Sequence, residues 1–395
     1  MSNLSFGIGL YLKLLAQQPD KNIFVSPLSI SMALGMTLNG ADTDTAQSIK
    51  ETLGLSDMEM DEINSMNETL ISTFCADDRE QEPETPENDP FASEEKLESK
   101  LVINVANSLW AREGLTLKGG FAEICEKKYK AQTGYLDPGD PNAPDKVNSW
   151  AAEKTNGKIQ IVIDEMIPNF VLILVNAVYF KAPWALEFTE DLTHQRPFHL
   201  ADGATKDHPL MFNTETYPYQ KGEFFQAIRL PYEDRRYAMT IVLPDEESSL
   251  NQLHKSFSAG MWDKIRTSLK VSHGQVGLPR FEADWGRQVN DALSSMGMGV
   301  AFSEDADFSR MISGGYPVRL DEVFHKTYIK VWEKGTEAAA VTTVTVVDFD
   351  DYKPEEEFQM IIDRPFLYII DDNMTGAILF IGSMQNPEDI SGGQT

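Results

Sequence analysis

An α+β fold built as one unit is what this sequence predicts, and three observations lead there. The run FVLILVNAVYF from Phe170 to Phe180 is apolar at almost every position, so both of its faces must be covered and it belongs at the centre of a large sheet. Helical patterning marks the N-terminal part, and strand-like segments dominate the rest. Neither an internal repeat nor a clean linker divides the 395 residues. A length that would permit two or three domains is therefore assigned to one, residues 1–395.

The opening residues, MSNLSFGIGLYLKLLAQQPDK, repeat apolar side chains at helical spacing and lack a cationic leader with a cleavage site. Asn22 to Val25 reads as a short strand. Ser26 and Pro27 then lead into a helix, with proline in the first turn where its missing N–H costs nothing. Asp44 and Gln47 look like a capping pair for a helix that ends before Gly54. Asn148 to Lys154 is a helix stopping near Asn156 and Gly157. The expected strands are Val102 to Ala111, Phe170 to Phe180, Gln226 to Pro231, Tyr237 to Pro244, Val271 to Phe281, Tyr328 to Glu333, Phe366 to Ile370 and Ala377 to Met384. Asn176, inside the most apolar of them, must find partners for its amide or cost about 1–3 kcal/mol. A fixed polar cluster is expected to cross the sheet there.

Charge narrows the partners. With 34 basic and 62 acidic side chains the formal charge is −28, which repels nucleic acid and anionic membranes and attracts cations. The longest apolar run is too short to span a bilayer. Much of the acid lies in 77–98, where ten carboxylates meet two basic side chains and three prolines, the composition of a solvated insertion loop. Cys75 and Cys125 have neither CxxC nor zinc spacing and read as ordinary thiols.

Catalytic patterns are absent. No GxSxG elbow, HExxH, P-loop or EF-hand occurs, and Gly7-Ile8-Gly9 follows no strand. His194, His199, His208, His254, His273 and His325 are scattered without ligand spacing, His194 and His199 sharing an expected loop. No metal, no cofactor and no enzyme activity are predicted.

The most unusual stretch is EKGTEAAAVTTVTVVDFDDYKPEEE from Glu333 to Glu357. Split at the period of a strand, one face is Thr336, Ala338, Ala340, Thr342, Val344 and Val346, all small or β-branched; the only charge, Glu337, falls on the other. An exposed acidic tract follows it. Gly335 stands at the junction, where a residue free in φ lets the strand swing in or out.

Glu333 to Ala340 closely resembles the hinge of the reactive-centre loop in serpins, the serine protease inhibitor superfamily. NIFVSPLSISMAL from Asn22, VNSWAAEKTNGKI from Val147, NAVYFKAPW from Asn176, the DFS at Asp307, HKTYIKVWEKGTEAAA from His325, and DRPFLYII with AILFIGSMQNP near the C-terminus are similar to serpin signatures in serpin order. The resemblance covers roughly residues 5 to 388. It implies three β-sheets, eight or nine helices and an exposed reactive-centre loop, here 335–357.

It also implies a suicide-substrate inhibitor: a serine protease attacks the loop, forms an acyl-enzyme, and is trapped as the loop inserts into the main sheet. The hinge would be Glu333, Gly335, Thr336, Glu337, Ala338, Ala339 and Ala340. Ser26, Ser29, Asn176 and His325 would form the polar shutter beneath the sheet opening, Trp184 would mark the breach, and Glu333 would pair with Arg280. Counting 16 positions past Glu333 gives Phe349, with Asp350 beyond the cut, suiting a chymotrypsin-like pocket; Val346, Val347 and Asp348 offer an elastase-like alternative. A cationic protease, a monomer and no heparin site are expected. The location expected is extracellular or periplasmic with the leader removed, the cytoplasm being the alternative. Asn3, Asn67 and Asn373 lie in glycosylation sequons. A non-inhibitory carrier or chaperone is the rival reading.

Overall fold

The computed structural model describes residues 2–74, 101–165, 168–336 and 357–388. Nine α-helices and two hydrogen-bonded strand networks occur among them. The larger network has nine strands and turns on the 17-residue strand Thr205–Lys221. That strand's last residues pair with Phe225–Pro231, while Leu210 to Tyr219 pair with Lys270–Pro279. Where the resemblance implied three sheets, the described strands form two networks, the larger held together through this one long strand.

The smaller network positions the site. Its order is Phe281–Gln288, Leu320–Trp332, Gly335–Thr336, Leu172–Pro183, Val102–Arg112 and Gln132–Leu136. Leu172–Pro183 is the central strand, and both of its faces are covered. Leu172, Leu174, Val178 and Phe180 enter the main core, whereas Ile173, Val175 and Ala177 pack beneath the helix Ala143–Lys154 with Trp110 and Trp150. Burying each such side chain stabilises the fold by about 1.5–3 kcal/mol, which explains why the run tolerates almost no polar residue.

The helix Pro27–Leu38 lies on the inner face. Ser26 is its N-cap, accepting from the Ser29 N–H, and Pro27 sits in the first turn. Its side chains are mostly apolar because it is buried nearly all round, and the hydroxyls of Ser29, Ser31 and Thr37 donate to carbonyls three or four residues back.

Several expectations are corrected. The helix Thr43–Leu53 is capped by Asp42, which accepts from the Thr43 N–H at 2.9 Å, while Gln47 bonds Glu51 instead of closing a box with Asp44. A tertiary contact decides this: Asp42 is gripped by the Arg310 guanidinium through two bonds of 2.9 Å. His194 and His199 lie on a strand, His194–His199, rather than in a loop. Val271 to Phe281 is two strands, Lys270–Pro279 and Phe281–Gln288, which belong to different networks and break at Arg280. The helix at Asn148 begins at Ala143, and the strand at Tyr328 begins at Leu320. Asn67 is only 2% exposed and donates to the Ile63 carbonyl, so its sequon is closed to a glycosyltransferase once folded. The acidic insertion 77–98 and Cys75 lie outside the described residues; Cys125 is buried, its thiol pushed up to about 12 by burial.

Candidate functional site

Leu320–Trp332 and Leu172–Pro183 run side by side in parallel, paired from Leu320 with Leu172 to Tyr328 with Tyr179. Beyond Tyr179 they part. Into the mouth enters Gly335–Thr336, antiparallel to both: Gly335 opposes Trp332 and Pro183, and Thr336 opposes Val331 and Ala182. Only glycine fits at 335, because φ is +147° and a Cβ would stand 2.3 Å from the Ala182 carbonyl oxygen. Thr336 is fully buried, its hydroxyl 2.9 Å from that of Tyr232.

The mouth is held by charge and aromatic stacking. Glu333 is 2% exposed, and Arg280 forks onto it through Nε at 2.8 and 3.1 Å and Nη2 at 2.5 Å, with the Thr193 hydroxyl donating at 2.5 Å. A buried carboxylate needs such pairing to be tolerated. The Trp184 indole donates to the Trp332 carbonyl at 3.0 Å, its backbone N–H donates to the Lys334 carbonyl, and its ring stacks on Tyr232 with centroids 4.7 Å apart.

Lower down, one polar row crosses three strands. Asn176 opposes Asn107 on one side and His325 on the other. Its amide donates to Asn107 Oδ1 at 2.7 Å and to the Ser29 carbonyl at 3.5 Å; its Oδ1 accepts from the Ser29 hydroxyl at 2.7 Å. The Ser26 N–H donates to His325 Nε2 at 3.0 Å, so Nδ1 carries the proton and donates to Asn176 Oδ1 at 2.6 Å. The row therefore ties the helix N-terminus to the seam between the two parallel strands.

Such a histidine must stay neutral. Protonating Nε2 would set an N–H against the Ser26 N–H, and complete burial pushes the pKa down to about 3. An unfolded imidazole titrates near ~6.5, so between those values the unfolded chain binds more protons than the folded one. Stability is full above the unfolded value and declines as pH falls through this window, by about 2 kcal/mol at pH 5. His254, bonded to the Tyr11 hydroxyl at 2.8 Å and pushed down to about 4 by burial, acts in the same direction. Urea midpoints at pH 7.5 and 5.0 should show the loss. His325→Gln should remove part of it and leave the His254 share.

Ser26, Ser29, Asn176 and His325 are thus brought together, as are Glu333 with Arg280 and Trp184 with the mouth. Glu337, Ala338, Ala339, Ala340, Val346, Val347, Asp348, Phe349 and Asp350 lie outside the described residues. Asn107, Thr193 and Tyr232 were missed. Asn107 had a signal, since a buried Asn176 calls for an amide in a neighbouring strand; Thr193 and Tyr232 had none.

A family model described as Serpin (serine protease inhibitor) matches residues 1–387. An uncharacterised serpin-like protein of Thermococcus kodakarensis is 34% identical, over 98% of this chain and 85% of its own length. The leukocyte elastase inhibitor of Bos taurus is 30% identical, over 98% of both chains. Human thyroxine-binding globulin, solved with thyroxine, superposes with a TM-score of 0.85 at 28% identity, covering 98% of both chains.

Proposed function

The chain belongs to the serpin family, and from that membership we propose that it inhibits a chymotrypsin-like or elastase-like serine protease as a suicide substrate, acting as a single domain over 1–395. The observation that carries this reading is the half-started strand in the mouth. A segment following Thr336 downward is antiparallel to both neighbours, so it replaces one parallel pairing with two antiparallel ones, each slightly the more stable per residue.

The register sets what arrives where. Since Gly335 opposes Pro183 and Trp332, eleven further residues bring Val346 opposite Leu172 and Asp321. By the same count Thr342 comes between Asn176 and His325, where its hydroxyl can take over the bond those two now share. The inward positions from Ala338 to Val346 are small or β-branched, so insertion buries them without overpacking or unpaired charge.

The chemistry is the protease's own. Its serine attacks the carbonyl of Phe349, Asp350 leaves as the new N-terminus, and the acyl-enzyme is carried along as the loop inserts. Val346, Val347 and Asp348 are the alternative cut. Acid around the bond and the charge of −28 favour a cationic protease, whose encounter should slow as salt rises. The protein works as a monomer without metal, cofactor, heparin, nucleic acid or membrane, outside the cell or in the periplasm, with the cytoplasm as the alternative.

Mixing the protein with chymotrypsin, neutrophil elastase and trypsin separately, followed by a denaturing gel and intact mass, tests the proposal. A covalent complex and a released peptide starting at Asp350 are expected; a start at Val347 or Asp348 moves the bond to the valines. Clean cleavage with full residual protease activity would sink the inhibitory reading. It would favour a non-inhibitory carrier or chaperone; the similar thyroxine-binding globulin binds thyroxine.

A further inference from the structure

At the far end of the seam the parallel pairing is irregular, shifting register between Leu320 and Glu322. The residue displaced there is Asp321, whose side chain crosses to the neighbouring strand. Oδ2 accepts from the Val171 N–H at 2.5 Å and from the Leu172 N–H at 3.3 Å, while Oδ1 accepts from Arg319 Nε at 3.0 Å. The displaced backbone is fixed from the other side. Asn290 donates to the Asp321 carbonyl at 2.7 Å and accepts from the Val323 N–H at 2.9 Å.

Nothing about a parallel sheet requires this arrangement. Two successive backbone N–H groups at the start of the central strand, those of Val171 and Leu172, donate to one carboxylate of the adjacent strand. Immediately beside it, Glu322 is buried, and one of its carboxylate oxygens has no partner. Crowding a second carboxylate against Asp321 disfavours charge on Glu322, whose pKa burial and then the Asp321 charge push up to about 7. Asp321 is thus the carboxylate that the N–H groups and Arg319 hold.

We propose that Asp321 is a clasp that holds the parallel strands Leu172–Pro183 and Leu320–Trp332 together at the end opposite the mouth, and that it is the last contact to open when a strand inserts between them. This rests on the insertion reading above. The register brings Val346 opposite both Leu172 and Asp321, so a strand that stops at Thr345 leaves the clasp shut, whereas one that passes Val346 must break it. The clasp then has two effects. It slows spontaneous insertion in the uncleaved protein, and it makes the final residues of the inserted strand the hardest to seat. Asp321 is a positioning residue here and touches no protease.

The test compares native and loop-cleaved protein for wild type, Asp321→Ala and Asp321→Asn. Uncleaved samples are held at a temperature where wild type converts slowly to a urea-resistant form that no longer reacts with protease. Losing a charge-assisted clasp should speed conversion roughly tenfold in Asp321→Ala, with Asp321→Asn, which keeps one acceptor oxygen, falling between. Melting of the cleaved forms should be the same in all three proteins, because the inserted strand has already displaced the contact.

An equal drop in native and cleaved melting would show an ordinary fold contact and overturn the clasp. So would an unchanged conversion rate in a wild-type background that gains stability on cleavage. A wild type that gains no stability on cleavage overturns the insertion reading itself, and the clasp with it.

Discussion

Asn176→Ala should destabilise native protein by about 3–5 kcal/mol, as large a loss as truncating a buried aromatic of the same sheet. The substitution removes bonds to Ser29, Asn107 and His325 at once. It strands the Nδ1–H of a fully buried imidazole, the Asn107 oxygen and the Ser29 hydroxyl in apolar surroundings. Each orphaned group costs about 1–3 kcal/mol, with some recovered by relaxation. Chemical denaturation at pH 7.5 measures it. Because Asn107 and Asn176 share one bond, the double variant Asn107→Ala, Asn176→Ala should cost less than the two singles added. A loss under about 1 kcal/mol would mean that the row contributes little and that the surrounding apolar packing alone holds the strands.

Thr336→Arg should turn an inhibitor into a substrate. Thr336 is fully buried at the leading edge of the inserted segment, between Val331 and Ala182, with its hydroxyl on Tyr232. A guanidinium there would have to enter a fully buried slot, and the Glu333 carboxylate is already held by Arg280 and Thr193. Burying it unpaired costs several kcal/mol. The strand should therefore stay out of the mouth after cleavage, and the acyl-enzyme should hydrolyse. On a denaturing gel the covalent complex should fall at least tenfold while cleavage of the loop continues, and Thr336→Ser should behave as wild type. Equal complex formation by the Arg variant would show that insertion does not pass through this position.

How much of this was legible beforehand depended on locality. The covering of both faces of the Phe170–Phe180 run followed from its unbroken apolar character, and the strand Leu172–Pro183 does divide its side chains between two cores. That Asn176 needs partners was legible from one buried amide. The alternation of small residues after Gly335 was legible from the two-residue period, as was the need for glycine itself.

The strand Thr205–Lys221 was not legible, since Asp207, His208, Asn213, Thr214, Glu215 and Thr216 break any alternation. Its backbone is ordered by partners on either side rather than by its own pattern. The split at Arg280 was hidden for a similar reason. One continuous strand-like pattern serves two sheets, and the contacts that hold Arg280 at the break, with Glu333, His208 and the Pro209 carbonyl, all come from distant parts of the chain.

By itself, then, the sequence determined the class of fold, the family, the strand whose two faces are buried, and the segment able to become a strand. These are properties of side-chain size, polarity and period along the chain, readable within windows of about ten residues. The tertiary structure alone decided that Leu172–Pro183 and Leu320–Trp332 lie parallel with a mouth between them, that Asn107 completes the polar row, and that Asp321 closes the far end. Those are matters of hydrogen-bond register between strands nearly 150 residues apart in the chain, and register is set by the packing of the whole sheet.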